Sequence, residues 1–449
     1  LRVLVVSPYP PSPDTNALWT KAWAEQFLQT GTGVQLRVTA AKETPHCDLR
    51  PEVSVGSNTL SLRRVWDRAD SGTAIVAAVT REVDEFHPEV AHIHFNYLTY
   101  GRAWKSLWVL SSLIRNLRAR GVAVIVTLHS IVASPLRYLA MQRLRPHTVP
   151  PWSELLPARI GARILDRTLR PASKVVVLTD AAFRWAMRRT QLRPPQLEYL
   201  PLGALPCEGV VPDGSTSATA PSSPLLPTVT FLGRLDPYKG VEDLIRAAEI
   251  LAQEGYPIDL RILGATRNPL GESDPYAEML RSMIGRLKAG PVTFETRFVP
   301  TTEYEQLKRD TDVFVFPFRN DGILSASGSV LELGASSSAR LVLTPVPRLD
   351  EYRQLEGVFL APEADPKGLA QAIRRASRAP PVDPRARAPT IHHFLPESIA
   401  LEYARIYVAV RSPGLPPEFF QGPRPQSSAQ LTHPGESSGG VARSPGGLH

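Results

Sequence analysis

Short, nearly continuous apolar runs recur along the chain, separated by stretches whose apolar positions fall at helical spacing. Arg2–Ser7 opens the series, and Val34–Thr39, Val90–Phe95, Val122–Leu128 and Lys174–Leu178 continue it. Between the first two, Ala17, Trp19, Ala22, Trp23, Gln26 and Phe27 lie on one helical face. Runs that are apolar throughout suit strands buried on both faces, and the intervening helices supply the crossovers of a parallel sheet. The rhythm stops at residues 209–227, which are rich in Ser, Thr, Pro and Ala and read as a linker. It restarts with predicted strands at Thr228–Leu232, Ile258–Leu263, Val292–Phe294, Val313–Phe316 and Leu341–Leu343. Helices are predicted at Val241–Glu254 and Pro275–Lys288, with a last one at Pro396–Val410. The pattern predicts an α/β protein of two Rossmann-like, doubly wound domains facing across a cleft. The boundaries are 1–205, a linker at 206–227, a second domain at 228–393, a final helix at 394–411 and a tail at 412–449. The tail holds 7 Pro, 7 Gly and 6 Ser in 38 residues, too few apolar groups to offset ordering, so disorder is expected.

Ligands of open α/β sheets bind outside the carboxyl ends of the strands, so functional residues should lie in the loops that follow them. Composition adds limits. A length of 449 residues and 43% hydrophobic content suit two domains, and no run approaches the ~18 apolar residues of a membrane span. No signal-peptide pattern opens the sequence, and Cys47 and Cys207 form no metal pattern, so a cytoplasmic location with free thiols is expected. The net charge of +8 is uneven: residues 102–193 hold 17 basic against 3 acidic side chains. An anionic membrane surface, an anionic acceptor or an Arg-rich compositional bias each fit this excess. Arg137, Arg143 and Arg145 follow His129, and Arg159, Arg163, Arg167 and Arg170 recur at helical spacing. Nucleic acid is not expected, since aromatic residues do not interleave with the basic ones.

Two post-strand segments carry the chemistry. In FLGRLDPYKG, Phe231–Gly240, Gly233 permits a tight turn, and Arg234 and Lys239 offer a guanidinium fork and a point charge to one spot. Such a turn suits a diphosphate, although a βα loop with two solvated cations has the same residues. In NDGILSASGSVLE, Asn320–Glu332, the residues Ser327, Gly328, Ser329 and Val330 sit where a helix begins, so its first amides can meet a phosphate. Glu332, one turn in, can accept from ribose hydroxyls; simple capping by the serines is the alternative.

Together these segments resemble the GT-B glycosyltransferases, especially glycosyltransferase family 4 (group 1), over nearly the whole chain to about residue 411. Arg234 and Lys239 match the family's G-R-x-x-x-x-K-G loop, which binds the donor diphosphate. The stretches Ile262–Gly264, Arg297–Phe318, Leu331–Glu351 and Leu200–Gly203 also look like the family. His129, in VTLHS, takes the position of a His that the resemblance places near the transferred sugar; of His92 and His94, one is expected to point to the core. Many relatives carry an acid eight positions before the residue matched by Glu332; here that position is Leu324. Asp321–Gly322 matches an Asp-Gly pair of a subgroup, which points to Asp321 as a group approaching the sugar. SSSAR at Ser336–Arg340 lacks the usual Gly, and Pro8, Pro10, Pro11 and Pro13 stand where many relatives have Gly-Gly.

The resemblance implies a retaining glycosyltransferase moving a hexose from a nucleotide diphosphate-sugar to a glycan, lipid-linked or small-molecule acceptor. The nucleotide-sugar is a substrate; no cofactor and no metal are expected, and no Asp-x-Asp pair suits a metal-held diphosphate. Front-face attack is expected, with the departing phosphate helping to take the acceptor proton. Peripheral contact with the inner membrane face and a part in polysaccharide synthesis would follow. Two alternatives keep the fold: a nucleotide-sugar epimerase-type enzyme, and an inactive nucleotide-sugar-binding protein.

Overall fold

The structure, a computed structural model, describes residues 1–12, 15–30, 33–42, 52–55, 58–101, 103–143, 162–203, 226–266, 274–288 and 290–411. The expected tail, Cys47, Cys207, Pro13, Arg145, Arg159 and residues 206–225 of the expected linker lie outside them. The first sheet is built from β1 (Arg2–Val6), β2 (Gln35–Ala41), β3 (Glu52–Val55), β4 (Asn58–Trp66), β5 (Val90–Phe95) and β6 (Ala123–Leu128). After the short β7 (Ile131–Val132) it is completed by β8 (Lys174–Val177) and β9 (Leu197–Tyr199). Its strand order is β3-β4-β2-β1-β5-β6-β8-β9, parallel except for β3. The second sheet uses β10 (Thr228–Leu232), β11 (Asp259–Leu263), β12 (Val292–Glu295) and β13 (Val313–Phe316). Following the short β14 (Ile323–Leu324) come β15 (Arg340–Leu343) and β16 (Val358–Leu360). Its order is β12-β11-β10-β13-β15-β16, parallel throughout.

The predicted strands are all present, because fully buried runs such as VFVF and VAHIHF have no solvent face. The hairpin β3–β4 and the short β9 and β16 were not predicted; they sit at sheet edges, where a single apolar face leaves a weaker pattern. The last helix, Pro396–Arg411, returns to the first sheet. Ile399, Ala400, Tyr403, Ala404, Ile406 and Tyr407 join one core with Val3, Val5, Trp19 and Trp23. No helix among the described residues is long and apolar enough to cross a membrane.

Candidate functional site

β10 ends at Leu232, and the chain turns at Gly233, whose N–H donates to the Leu263 carbonyl at 3.1 Å. Pro237–Lys239 form one 3-10 turn that Gly240 closes at φ +67. A Cβ on Gly240 would lie 2.0 Å from the Pro317 carbonyl oxygen, so the turn presses directly on the loop after β13. Arg319 fastens the contact. It donates to Asp243 Oδ2 at 3.0 and 2.7 Å and to Glu242 Oε1 at 2.5 Å, while its backbone N–H donates to the Tyr238 carbonyl.

This packing buries Lys239. Its Nζ lies 3.8 Å from the Phe318 ring centroid and 5.1 Å from that of Tyr238, and among the described residues no carboxylate is within ion-pair reach. Burial, with Arg348 and Arg234 nearby, lowers its pKa to about 8. Arg234 is half exposed, with Nε 3.9 Å from Asp236 Oδ2. Arg348 is a site residue that sequence reasoning missed. It follows β15, donates through Nη2 to Asp321 Oδ2 at 2.8 Å and through Nη1 to Ser325 Oγ, and lies 4.6 Å over the Tyr238 ring. One ring thus carries both Lys239 and Arg348. The available signal was TPVPR, an arginine just past a buried strand, which is also the position of Arg234.

Asp321 is buried, bound to Arg348, and accepts from the Ile323 N–H at 3.1 Å. In this structure its carboxylate is the counter-ion of a site cation. The helix Gly328–Ser336 starts at Ser327, which makes no side-chain cap. The amides of Gly328, Ser329 and Val330 are thus left uncapped by it, whereas the Val330 side chain lies in the core. At the other end of the helix, Arg387 is fully buried and donates to the carbonyls of Gly334, Ser337, Ala339 and Glu356, a cation at the negative end of the dipole. Glu332 is partly buried; burial raises its pKa against the pull of Lys308 and Tyr304. Its carboxyl therefore already has protein partners.

The first sheet contributes a neutral, aromatic half. His92 and His94 are both buried, which corrects the expectation that only one points inward: residues two apart on a strand share a face. His92 Nδ1 meets the Tyr407 hydroxyl and Nε2 the Thr127 hydroxyl, both at 2.7 Å, and Thr127 meets Tyr403 at 3.0 Å. His94 Nδ1 lies 3.0 Å from His129 Nε2. Trp19 packs on His94 and His129 at centroid separations of 5.1 and 5.4 Å. Burial lowers the pKa of His92 and His129 to about 3 each and holds His94 well below the ordinary value. Ahead of this cluster, the proline-rich first loop is held by Ser7 Oγ on Thr20 Oγ1 at 2.6 Å and by Arg64 on the Pro10 carbonyl.

A two-stranded ribbon joins the halves. β7 and β14 pair antiparallel, Ile131 with Leu324 and Val132 with Ile323, and the Ala133 and Ser134 N–H groups donate to the Gly322 carbonyl. Gly322 is at φ +75, and a Cβ there would meet the Ser134 carbonyl at 2.3 Å. Leu324, where relatives carry an acid, instead packs into the core of the first sheet. Glu351 adds a second junction: it accepts from the Asp180 N–H at 2.6 Å and from the Tyr199 hydroxyl, and burial raises its pKa to about 7. Of the basic run, Arg137, Arg163, Arg167 and Arg170 are exposed, and Arg170 pairs with Asp166 at 2.7 Å. Among the described residues no group of three or more His, Cys, Asp or Glu is arranged to hold a metal.

Lys239, Arg234 and Arg348 gather in loops after two parallel strands of the second sheet, and the β7–β14 ribbon ties those loops to the segment that follows His129. Residues 226–378 match the family model "Glycosyl transferases group 1". The resemblance drawn from the motifs is thereby borne out, and the fold is GT-B. Among individual proteins, the chain is 28% identical over 202 residues to an Escherichia coli (strain K12) protein named as a colanic acid biosynthesis glycosyltransferase, WcaL, covering 42% of this chain. The match takes in 47% of WcaL, so the chain spans about half the length of that curated relative. Sucrose-phosphate synthase from Thermosynechococcus elongatus has the same fold, with TM-score 0.64 at 17% identity over 91% of this chain and 98% of that one. A glycosyltransferase from Rickettsia africae ESF-5 superposes with TM-score 0.63 at 11% identity, over 91% and 98% of the two chains.

Proposed function

We propose that the protein transfers a hexose from a nucleotide diphosphate-sugar to a glycan, lipid-linked or small-molecule acceptor, with retention of configuration and without a metal ion. The observation that carries this reading is Lys239, an ammonium buried between two rings with Arg234 and Arg348 beside it. A buried cation without a counter-ion is unfavourable, and an incoming diphosphate supplies the missing charge. Arg234 takes a second phosphate oxygen, and the amides of Gly328, Ser329 and Val330 present the positive end of a helix. The leaving diphosphate gains negative charge as its bond to the sugar breaks, so cations fixed in advance lower the barrier. The acceptor oxygen bonds to the anomeric carbon on the face the phosphate leaves, and its proton passes to the departing phosphate oxygen. Glu332 meets the donor ribose, and the exposed Arg163, Arg167 and Arg170 contact an anionic membrane surface.

A thermal-shift screen of nucleotide-sugars finds the donor, because a bound donor stabilises by mass action. Arg234→Ala and Lys239→Ala should each cut transfer by about a hundred-fold or more while leaving the fold intact. Full turnover in both variants would sink the assignment, as would loss of transfer in a chelator sink metal independence. Labelled donor should stay unconverted without acceptor; conversion would favour an epimerase. Vesicle co-sedimentation indifferent to anionic lipid and salt would remove the membrane contact.

A further inference from the structure

Behind His129 lies a polar atom that the site does not use. Nε2 of His94 is buried and meets no hydrogen-bond partner, while Nδ1 of the same ring is 3.0 Å from His129 Nε2. The ring is packed by His92, Trp19 and Trp23 at centroid separations of 4.2, 5.1 and 5.8 Å. Burial keeps both imidazoles neutral, so each carries a single N–H and the contact has two tautomeric solutions. In the first, His129 Nε2–H donates, and His94 must hold its hydrogen on the unpartnered Nε2. In the second, His94 Nδ1–H donates to His129 Nε2, and His94 Nε2 carries only a lone pair. A buried N–H without an acceptor is rarer than an under-used acceptor. The same cluster already holds one such N–H, on Trp23 Nε1, and the first solution would add another.

We propose that His94 is a positioning residue that holds His129 in the Nδ1–H tautomer, making it a hydrogen-bond donor toward the cleft. Nδ1 makes no hydrogen bond among the described residues and is not among the buried unpartnered atoms, and His129 retains slight exposure. His129 therefore offers a hydrogen to an oxygen in the cleft and has no lone pair there with which to take a proton. That this oxygen belongs to the transferred sugar rests on the proposed glycosyl transfer; the tautomer does not.

Nitrogen-resolved NMR of protein labelled with 15N-histidine tests the tautomer on the wild-type chain at neutral pH, with no substrate needed. The expected result is a protonated Nδ1 and a bare Nε2 on His129; a protonated Nε2 overturns the proposal. His94→Asn keeps an N–H donor near the place of Nδ1 and should retain both the His129 tautomer and turnover. His94→Leu removes it and should mix the tautomers and lower kcat about ten-fold with little change in KM. Equal losses in both variants would also overturn the proposal. A protonated Nδ1 in a protein that transfers no sugar would support the tautomer and count against the glycosyl-transfer reading alone.

Discussion

The loops of the second sheet gather Lys239, Arg234 and Arg348 around few carboxylates, whereas the strand ends of the first gather three histidines and keep them neutral. Lys239 and the three histidines are buried, and burial lowers the pKa of a lysine and a histidine alike. The outcomes differ because of where each starts. A histidine near its ordinary value crosses into neutrality and finds neutral partners in Tyr407 and Thr127. Lysine starts much higher and still carries most of its charge at neutral pH, and arginine keeps its charge throughout. The histidines of the first sheet thus carry no charge that needs a counter-ion, whereas Lys239 keeps a charge with no ion-pair partner among the described residues.

Breaking the charged half should have the largest effect. Arg348→Met leaves Asp321 buried without its counter-ion and should lower stability by about 3 kcal/mol in denaturant titrations. Adding Asp321→Asn should restore much of it; no recovery would show that Arg348 acts through packing on Tyr238. The seam between the halves comes next. The pKa of Glu351 is raised from an ordinary 4.5 to about 7, so its protonation stabilises the fold fully below 4.5, and this contribution is lost as pH rises through 7. Glu351→Gln should therefore raise stability above pH 7 by about 2 kcal/mol and change little near pH 4, read as unfolding temperature against pH.

A smaller effect sharpens the contrast. Lys239 loses its proton near pH 8, so donor affinity should fall about ten-fold per unit above that pH, well below where a solvated lysine would titrate. Calorimetry of donor binding from pH 7 to 10 would show this, and a flat profile to pH 10 would place the diphosphate elsewhere. The smallest change lies in the neutral half. Tyr407→Phe removes one hydrogen bond to His92 and should cost about 1 kcal/mol of stability with no change in donor affinity.

Legibility followed the same division. Buried strands and the loops after them announce themselves through uninterrupted apolar runs, so Arg234, Lys239 and Gly328 could be placed from spacing, and His129 from the resemblance. Arg348 could not, because its role depends on Tyr238 and Asp321 arriving from two other loops. Asp321 illustrates the limit from the other side. The resemblance placed it near the sugar, and folding adds what no motif shows, that its carboxylate is bound to Arg348. Leu324 looked like a missing acid; pairing with Ile131 makes it a domain contact.

The sequence by itself determined two doubly wound sheets and a phosphate-suited turn after the first strand of the second, because strand burial and turn chemistry are local and periodic. Only the tertiary structure decided which charges meet, which histidine nitrogens meet, and that the last helix returns to hold His92 through Tyr407. Those depend on contacts between residues as far apart as 92 and 407, which no local pattern encodes.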